Sequence, residues 1–459
     1  MKGSNWFYWR RFAFAGVGLL LALVSYGLLQ LVEPVAIAPL SPNAQPYFAG
    51  KTLVVASDAD MVATAYADAK LDRIAGVEDT LTTIALPLNP EQPEIGTVPV
   101  SNSVMSWPQI IAVSPDGNRA YIVEVRSHPP DGVQELETID QMPEGSNLTV
   151  VDISQPAQPQ LIETVDLGRN PEHISISPNG KFLAVNLEDP GRELLIVELN
   201  TDGTLGKRSY FPMKTDGTRM DNRAAIWHPS GNFLAMTQDH NRRVGFYTIT
   251  IDQSSKVSIS PYGEPLTVGN HLSHARFTTD GRFLLVPDLK WSTHSNRILN
   301  FLLNPKGEMI AIRFEPEAGK PPEVASRTEV GVSPEGFALS PDDSLIATVN
   351  MRRTYLSPNF PPAWRGKPHS SISLVQFKSD SGRLKTLDEY GFEGLLPEQA
   401  TFDANGEALA VVIYNYREQS PKTGAVEFWN VASDRKPRLE RTGYSIDIVR
   451  GPHDIVLLP

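Results

Sequence analysis

Ile111-Ala-Val-Ser-Pro-Asp-Gly-Asn-Arg-Ala-Tyr-Ile-Val123 is the stretch that decides the fold of this chain. Apolar residues run up to Ser-Pro-Asp-Gly and resume after it. Pro115 fixes φ and ends the first run, and Gly117 can adopt the positive φ that a tight turn requires. The stretch therefore predicts a β-hairpin with one strand on each side of the turn.

The same hairpin pattern recurs along the chain. Further copies occupy residues 174–185, 225–236, 275–286, 337–349 and 400–413. With that of the first copy, the six turns lie at 116, 179, 230, 280, 342 and 405, about 50 to 63 residues apart. Self-similarity at this spacing is typical of propellers and solenoids.

The two ends of the chain together supply a seventh copy. Lys51-Thr-Leu-Val-Val-Ala-Ser57 reads as a second strand with no first strand before it. The last residues, 452–459, carry proline at the two positions where other copies have it, and they stop where a turn would begin. We therefore predict an all-β, seven-bladed propeller over residues 51–459, closed by a C-terminal first strand that pairs with N-terminal strands.

The remaining strands of each blade are assigned to less regular segments. Residues 78–85 are compatible with one helical turn or another strand. Six apolar or β-branched segments are predicted as third strands: residues 148–152, 193–198, 244–249, 298–302, 372–377 and 426–429.

Composition excludes several classes of function. The formal net charge is −12 and the chain offers no clustered basic face, which argues against nucleic-acid binding. There is no cysteine, which excludes disulfides, thiol catalysis, thiolate metal sites and covalently attached haem.

The N-terminus predicts a membrane segment. Residues 1–11 carry Lys2, Arg10 and Arg11 and are assigned to the cytoplasm. Residues 12–32 are apolar and long enough, at about 1.5 Å per residue, to span a bilayer core of about 30 Å. We favour a signal-anchor over a cleaved signal peptide or a buried core helix. The prediction is a single-pass protein of the cytoplasmic membrane, with a Pro-rich linker over 33–50 and the propeller outside; a cleaved signal would make it a secreted protein.

One polar position recurs where each first strand begins. Seven residues before each turn stand Gln109, Glu172, Arg223, Ser273, Glu335, Glu398 and His453. The next position includes His173 and His274. In a propeller these positions share the channel mouth. They could form a catalytic site from Glu172, His173, His274, Glu335, Glu398 and His453, because imidazole and carboxylate groups act as general acids and bases or bind metals. The alternative is that these positions are polar because they line a solvated channel.

The loops between second and third strands lie on the same face and are rich in cations and aromatic residues. Such loops are typical of recognition sites. Arginines there could hold a carboxylate or phosphate group. The predicted ligand-binding residues are Arg223, Trp291, Arg352, Arg353, Trp364, Arg365, Tyr414 and Tyr416.

A first strand that opens on proline, a Ser-Pro-Asp-Gly turn, and a second strand reading Ala-Tyr-Ile-Val or Leu-Ala-Val-Asn resemble the YVTN/lactonase-like seven-bladed propellers. This superfamily includes proteins similar to 6-phosphogluconolactonase and to cytochrome d1 domains. The resemblance covers about residues 50–459 and implies the fold. We expect binding of a small ligand or a protein without catalysis. A lactonase-like hydrolase and a propeller that binds non-covalent haem or a metal are the alternatives, and no particular cofactor is indicated.

Overall fold

A computed structural model of the chain describes residues 35–213, 224–238, 242–291, 305–359, 366–415, 422–433 and 436–459. These residues form seven antiparallel sheets, six built on four consecutive strands and one that combines the last strand with the first three. The predicted seven-bladed all-β fold is confirmed. The short helices within the described residues are α1 (Ala65–Asp68) and two 3-10 turns, Ile139–Gln141 and Pro316–Ala318.

The blades follow the chain, with strands numbered in chain order. Blade 1 consists, from the inside outward, of β29 (Pro452–Leu458), β1 (Thr52–Ser57), β2 (Thr80–Ala85) and β3 (Ile95–Pro99). Blade 2 contains β4 (Ile111–Val113), β5 (Arg119–Val123), β6 (Asn147–Asp152) and β7 (Gln160–Asp166). Blade 3 contains β8 (Pro171–Ile176), β9 (Phe182–Leu187), β10 (Leu194–Leu199) and β11 (Leu205–Phe211). Blade 4 contains β12 (Ala225–Trp227), β13 (Phe233–Gln238), β14 (Arg243–Ile251) and β15 (Val257–Pro261), with β16 (Leu266–Thr267) also paired to β14.

The last three blades complete the ring. Blade 5 contains β17 (Arg276–Phe277), β18 (Phe283–Asp288), β19 (Lys306–Arg313) and β20 (Glu323–Val332). Blade 6 contains β21 (Pro334–Leu339), β22 (Leu345–Asn350), β23 (His369–Lys378) and β24 (Arg383–Glu393). Blade 7 contains β25 (Leu395–Phe402), β26 (Ala408–Asn415), β27 (Thr423–Ala432) and β28 (Arg438–Val449).

Two strand assignments are settled by these sheets. Residues 78–85 contain strand β2 rather than a helical turn. The third strand of blade 5 is β19, so its prediction at residues 298–302 is wrong; those residues lie outside the described part of the chain. Ile310 and Ile312 of β19 are fully buried, as an inner-blade strand requires.

The ring closes as predicted. Strand β1 pairs with β2 on one side and with β29 on the other, with Leu53 opposite Leu457 and Val55 opposite Ile455. All six residues of β1 are buried. Because the C-terminal strand covers the inner edge of β1, that strand leaves no unpaired edge.

The repeated turns have the geometry that their sequence predicts. In blade 2, Gly117 has φ 74° and the Ser114 hydroxyl lies 2.5 Å from the Asp116 carboxylate. Four other turns place a glycine in the same left-handed region: Gly180, Gly231, Gly281 and Gly406. Blade 6 differs, because Asp343 occupies that position with φ 57°. These turns define one face of the ring, here called the hairpin face.

The apolar residues of the first and second strands pack between neighbouring blades. Trp227, Phe277, Leu339 and Phe402, three residues before their turns, are all buried. Burying one such side chain stabilises the fold by about 1.5–3 kcal/mol. The packing explains why these strands show a period of two in the sequence.

The predicted Pro-rich linker contacts the propeller where the structure describes it, from residue 35 onward. Ala38 N donates to Gly391 O in blade 6 at 2.8 Å, and Ser41 N donates to Arg441 O in blade 7 at 2.9 Å. Phe48 is fully buried. Residues 35–50 therefore form a strap across the outer strands of blades 6 and 7 before entering β1.

The predicted membrane segment, residues 12–32, lies outside the described residues. Over the ranges that the structure does describe, no helix combines the length and apolar character needed to cross a membrane.

Candidate functional site

The face opposite the hairpin face is here called the loop face; the first strands begin there. The polar column predicted at these strand starts coincides with β-bulges. In blade 3, Pro171 pairs with Leu187 and His173 with Asn186, so Glu172 is the extra residue of a β-bulge. Equivalent shifts in blades 6, 7 and 1 place Glu335, Glu398 and His453 at bulges. A bulge redirects side chains and is common beside binding sites.

Five residues of this column are buried. Glu398, His453 and Ser273 are fully buried, and Glu172 and Glu335 are at most 4% exposed. The expectation of a solvated rim is therefore wrong for them. Polar groups this deeply buried require hydrogen-bond partners, and the missing partners indicate where a ligand can bind.

Glu398 lacks such partners. Neither of its carboxylate oxygens accepts a hydrogen bond from any described residue. Burial, and then the charges of Glu335, Asp58 and Asp454, raise the pKa of Glu398 well above its usual value. Burial thus favours the protonated form of this side chain, which can both donate and accept a hydrogen bond.

His453 also presents an unused polar atom. The amide of Asn102 is oriented by its Nδ2 group, which donates to Ser57 O at 3.1 Å and to Val100 O at 2.8 Å. The Oδ1 atom therefore faces His453 Nε2, 2.8 Å away, and accepts a hydrogen bond from its N–H. Burial lowers the pKa of His453 to about 3, so the ring is neutral. Its Nδ1 is a bare acceptor without a partner among the described residues.

His173, in contrast, has both ring nitrogens occupied. The Ala225 backbone N–H donates to His173 Nδ1 at 3.4 Å, which leaves the proton on Nε2, 2.6 Å from Gln109 Oε1. Burial lowers the pKa of His173 to about 3. This imidazole joins blade 3 to blades 2 and 4.

His274 is similarly engaged. The Gln399 amide is oriented by Ala400 N, which donates to its Oε1, so Gln399 Nε2 donates to His274 Nε2 at 3.4 Å. The ring proton is then on Nδ1, 3.2 Å from Ser273 Oγ. Burial, and then His173, lower the pKa of His274 to about 3. Of the three predicted histidines, His453 is therefore the one with a nitrogen available to a ligand.

Asp454, beside His453, has a structural role. Its Oδ2 accepts hydrogen bonds from Ile110 N at 2.8 Å and Ile111 N at 3.0 Å in blade 2. Its Oδ1 accepts from Ile455 N. Burial raises the pKa of Asp454 to about 6.

An apolar cap covers the loop face. Met61 and Ile139 come from loops of blades 1 and 2, Leu289 from blade 5, Tyr355 from blade 6 and Tyr414 from blade 7, and they belong to one buried cluster. The ring of Trp107, which precedes blade 2, also contacts that of His271, which precedes blade 5 on the opposite side of the propeller, with centroids 5.4 Å apart. The cap therefore reaches across the channel mouth.

The predicted ligand-binding residues are placed in or near this cap where they are described. Tyr414 is fully buried with its hydroxyl 3.0 Å from the carbonyl oxygens of Asp58 and Met61, and Arg353 is 4% exposed. Trp291 Nε1 donates to Ser333 Oγ at 3.0 Å. Arg352 is half-buried. Tyr414 belongs to the buried cluster of the cap, and Trp291 packs against it. The remaining members, Arg223, Trp364, Arg365 and Tyr416, lie outside the described residues.

The sequence did not single out a cluster of charged residues on the loop face of blades 1 and 2. His128 Nδ1 lies 2.6 Å from Asp60 Oδ2 and 3.8 Å from Asp79 Oδ2. Arg73 Nε is 3.1 Å from Asp60 Oδ1. The hydrogen bond with Asp60 is the main reason that the pKa of His128 rises to about 9. Asp58-Ala-Asp60 directly after a strand was the available signal, but its partners are distant in sequence.

No protein-family model matches this chain, and no curated protein matches it in sequence. Solved structures match its fold. The periplasmic gluconolactonase of Pseudomonas aeruginosa has a TM-score of 0.59 and 15% identity over 90% of this chain and 99% of that chain. Putative 6-phosphogluconolactonases from Bacteroides fragilis NCTC 9343 (TM-score 0.57, 16% identity, 92% and 100% covered) and Bacteroides uniformis ATCC 8492 (TM-score 0.56, 16% identity, 90% and 99% covered) are similar. The predicted resemblance to lactonase-like propellers is confirmed at the level of the fold.

Proposed function

We propose that this protein binds a small polar organic molecule, without catalysis, at the capped mouth of its propeller channel. The observation that carries the proposal is the fully buried carboxyl group of Glu398, which has no hydrogen-bond partner among the described residues. A buried polar group left unpaired costs about 1–3 kcal/mol, which a bound ligand recovers. The bare Nδ1 of His453, one blade away, offers a second contact.

The chemistry of these groups favours a ligand with hydroxyl or amide groups. A neutral carboxyl at Glu398 can donate to and accept from a hydroxyl, whereas His453 Nδ1 can only accept. Within the described residues, Asp60, Asp79 and His128 are the group with donor atoms close enough to hold a metal ion, and neither Glu398 nor His453 belongs to it. An organic ligand therefore suits the channel mouth better than an ion.

Hydrolysis of a lactone is the second candidate function. Its support is the neutral His453, whose free Nδ1 could take a proton from a water molecule that attacks a carbonyl group. The Glu398 carboxyl could donate a hydrogen bond to the carbonyl oxygen. Several proteins with the same fold are named as lactonases. Their sequence identity to this chain is too low to support more than a shared fold.

The test is a thermal-shift and calorimetric screen of sugars, sugar acids and sugar lactones. A ligand should raise the melting temperature of the wild type and of Glu91→Gln, whose carboxylate is exposed and distant from the mouth. Glu398→Gln should weaken binding at least about tenfold, the effect of about 1.4 kcal/mol. Equal binding by Glu398→Gln and the wild type would remove the proposal. If the wild type hydrolyses a lactone and His453→Gln does not, hydrolysis replaces binding as the proposed function.

We also propose that residues 12–32 hold the propeller outside the cytoplasmic membrane, as their length and apolar character predict. The full chain should sediment with membranes and resist extraction by high salt. A variant that begins at residue 35 should be soluble after the same treatment. A full chain found in the soluble fraction would contradict the anchor.

A further inference from the structure

We propose that Asp60, Asp79 and His128 form a divalent-cation site that fastens the loops of blades 1 and 2 together over the channel mouth. This site is distinct in its residues from the ligand contacts at Glu398 and His453. Closure of the cap would then depend on a metal ion, whereas the contacts of Glu398 and His453 with an organic ligand would not.

The donor atoms have the spacing of a mononuclear site. One carboxylate oxygen from each aspartate and a ring nitrogen of His128 all lie within 4.8 Å of one another. Ligands about 2.1 Å from a metal ion, at angles between square and tetrahedral, are separated by about 3.0–3.4 Å. The 2.6 Å and 3.8 Å separations from His128 Nδ1 to Asp60 and Asp79 bracket that range. Small side-chain rotations would therefore seat an ion.

The surroundings hold the two carboxylates in place. Asp79 Oδ1 accepts a hydrogen bond from Ala59 N at 2.8 Å, and Asp79 Oδ2 from Asn102 N at 3.1 Å. Arg73 contacts Asp60 at Oδ1 and leaves Oδ2 directed to His128. Each carboxylate oxygen has a second lone pair for an ion, and such supporting contacts are typical of metal sites.

Access to the site is one-sided. The side chains of Asp60 and Asp79 are 7% and 1% exposed, whereas that of His128 is 43% exposed. An ion can therefore enter from solvent at His128 and become buried against the carboxylates. Three ligands from an imidazole and two carboxylates suit Zn²⁺, Mn²⁺ or Fe²⁺, with water completing the shell.

The position gives the ion a structural task. The two loops already meet through Leu71 N, which donates to Gln134 O at 2.9 Å, and Leu136 N, which donates to Ala69 O at 3.0 Å. Leu71 and Ile139, from the same loops, are buried in the cap. An ion bound by Asp60, Asp79 and His128 would hold these loops closed at a third point.

The experiment uses the full chain, purified in detergent and stripped with a chelator, then titrated with Zn²⁺ and with Mn²⁺ by calorimetry. We expect one ion per chain. Asp60→Asn and His128→Gln should each raise Kd at least about tenfold. His369→Gln, a half-buried histidine outside the cluster, is the matched control and should bind like the wild type.

Cleavage of residues 126–146 by a protease provides a second measurement, which a merely adventitious ion would not affect. The metal should slow cleavage in the wild type and in His369→Gln but not in His128→Gln. Circular dichroism of the stripped variants establishes that they fold. Absence of stoichiometric binding would overturn the site, and so would an equal Kd in the wild type, Asp60→Asn and His128→Gln. Neither result would affect the proposed binding of an organic ligand, which is tested separately with Glu398→Gln.

Discussion

Asp343 shows how one residue can compensate for an unfavourable backbone conformation. It occupies the left-handed position that glycine fills in the other turns, with φ 57°. Its Oδ2 accepts a hydrogen bond from Thr279 N at 2.7 Å, and its Oδ1 lies 3.2 Å from Thr279 Oγ1. Aspartate tolerates this conformation better than most residues, and here it also joins the turns of blades 5 and 6.

We expect Asp343→Ala to lower the free energy of unfolding by about 1–3 kcal/mol, because both hydrogen bonds are lost and a positive φ is kept. Asp343→Gly should cost less, since glycine relaxes the backbone while losing the same bonds. Urea denaturation of the three proteins gives the comparison. An Asp343→Ala variant as stable as the wild type would show that the contact with Thr279 contributes nothing.

The sequence could identify the polar column but not the state of its members. Aligning the turns was enough to align Glu172, Glu335, Glu398 and His453. Which of them keep unused polar atoms depends on partners such as Asn102, which contacts His453 but is 351 residues away in the sequence. Those contacts exist only after the ring has formed, so composition and spacing carry no signal of them.

At the scale of the element, first and second strands were predictable because each is bounded by a turn with Pro or Gly and shows alternating burial. Bulges were not, since an extra residue at a strand start leaves the later alternation intact. Gly336 lies in the bulge of blade 6. The Cβ atom of any other residue there would collide with the carbonyl oxygen of Glu398.

The burial of individual loop residues could not be predicted. Loop arginines, tryptophans and tyrosines predicted a recognition site, and the structure shows that Tyr355 and Tyr414 are buried as members of the cap. A polar and aromatic loop has the same composition whether it is exposed or folded over a channel. Only the meeting of loops from opposite blades distinguishes the two.

For the whole molecule, buried histidines set the acid limit of stability. Burial lowers the pKa of His173, His274 and His453 to about 3, below their usual value of about 6.5. The stability that they contribute is present above pH 6.5 and is lost as pH falls through 6.5 toward 3. We expect the melting temperature to drop steeply below about pH 5, because several groups lose their contribution to stability together there.

The alkaline limit has a different source. His128 has its pKa raised to about 9 by Asp60, so its contribution is complete below pH 6.5 and is lost as pH rises through 9. Burial also raises the pKa of Asp58 from 3.8 to about 7, so its contribution to stability is lost as pH rises from 3.8 through 7. In metal-free protein, calorimetric scans should show a maximum between about pH 5 and 6.5. His128→Gln should flatten the decline between pH 7 and 9, and a melting temperature that climbs from pH 6 to 9 would contradict this account.

The pairing of β1 with β29 also governs the order in which the protein can be made. Residues 52–57 leave the ribosome roughly 400 residues before their partners at 452–458, which at about 5–20 residues per second is a delay of about 20–80 seconds. During that time the inner edge of a wholly buried strand has no neighbour, and the six later blades can stack only as an open arc. The slowest contact to form is thus the one with the greatest sequence separation, and the ring cannot close until β29 has been made.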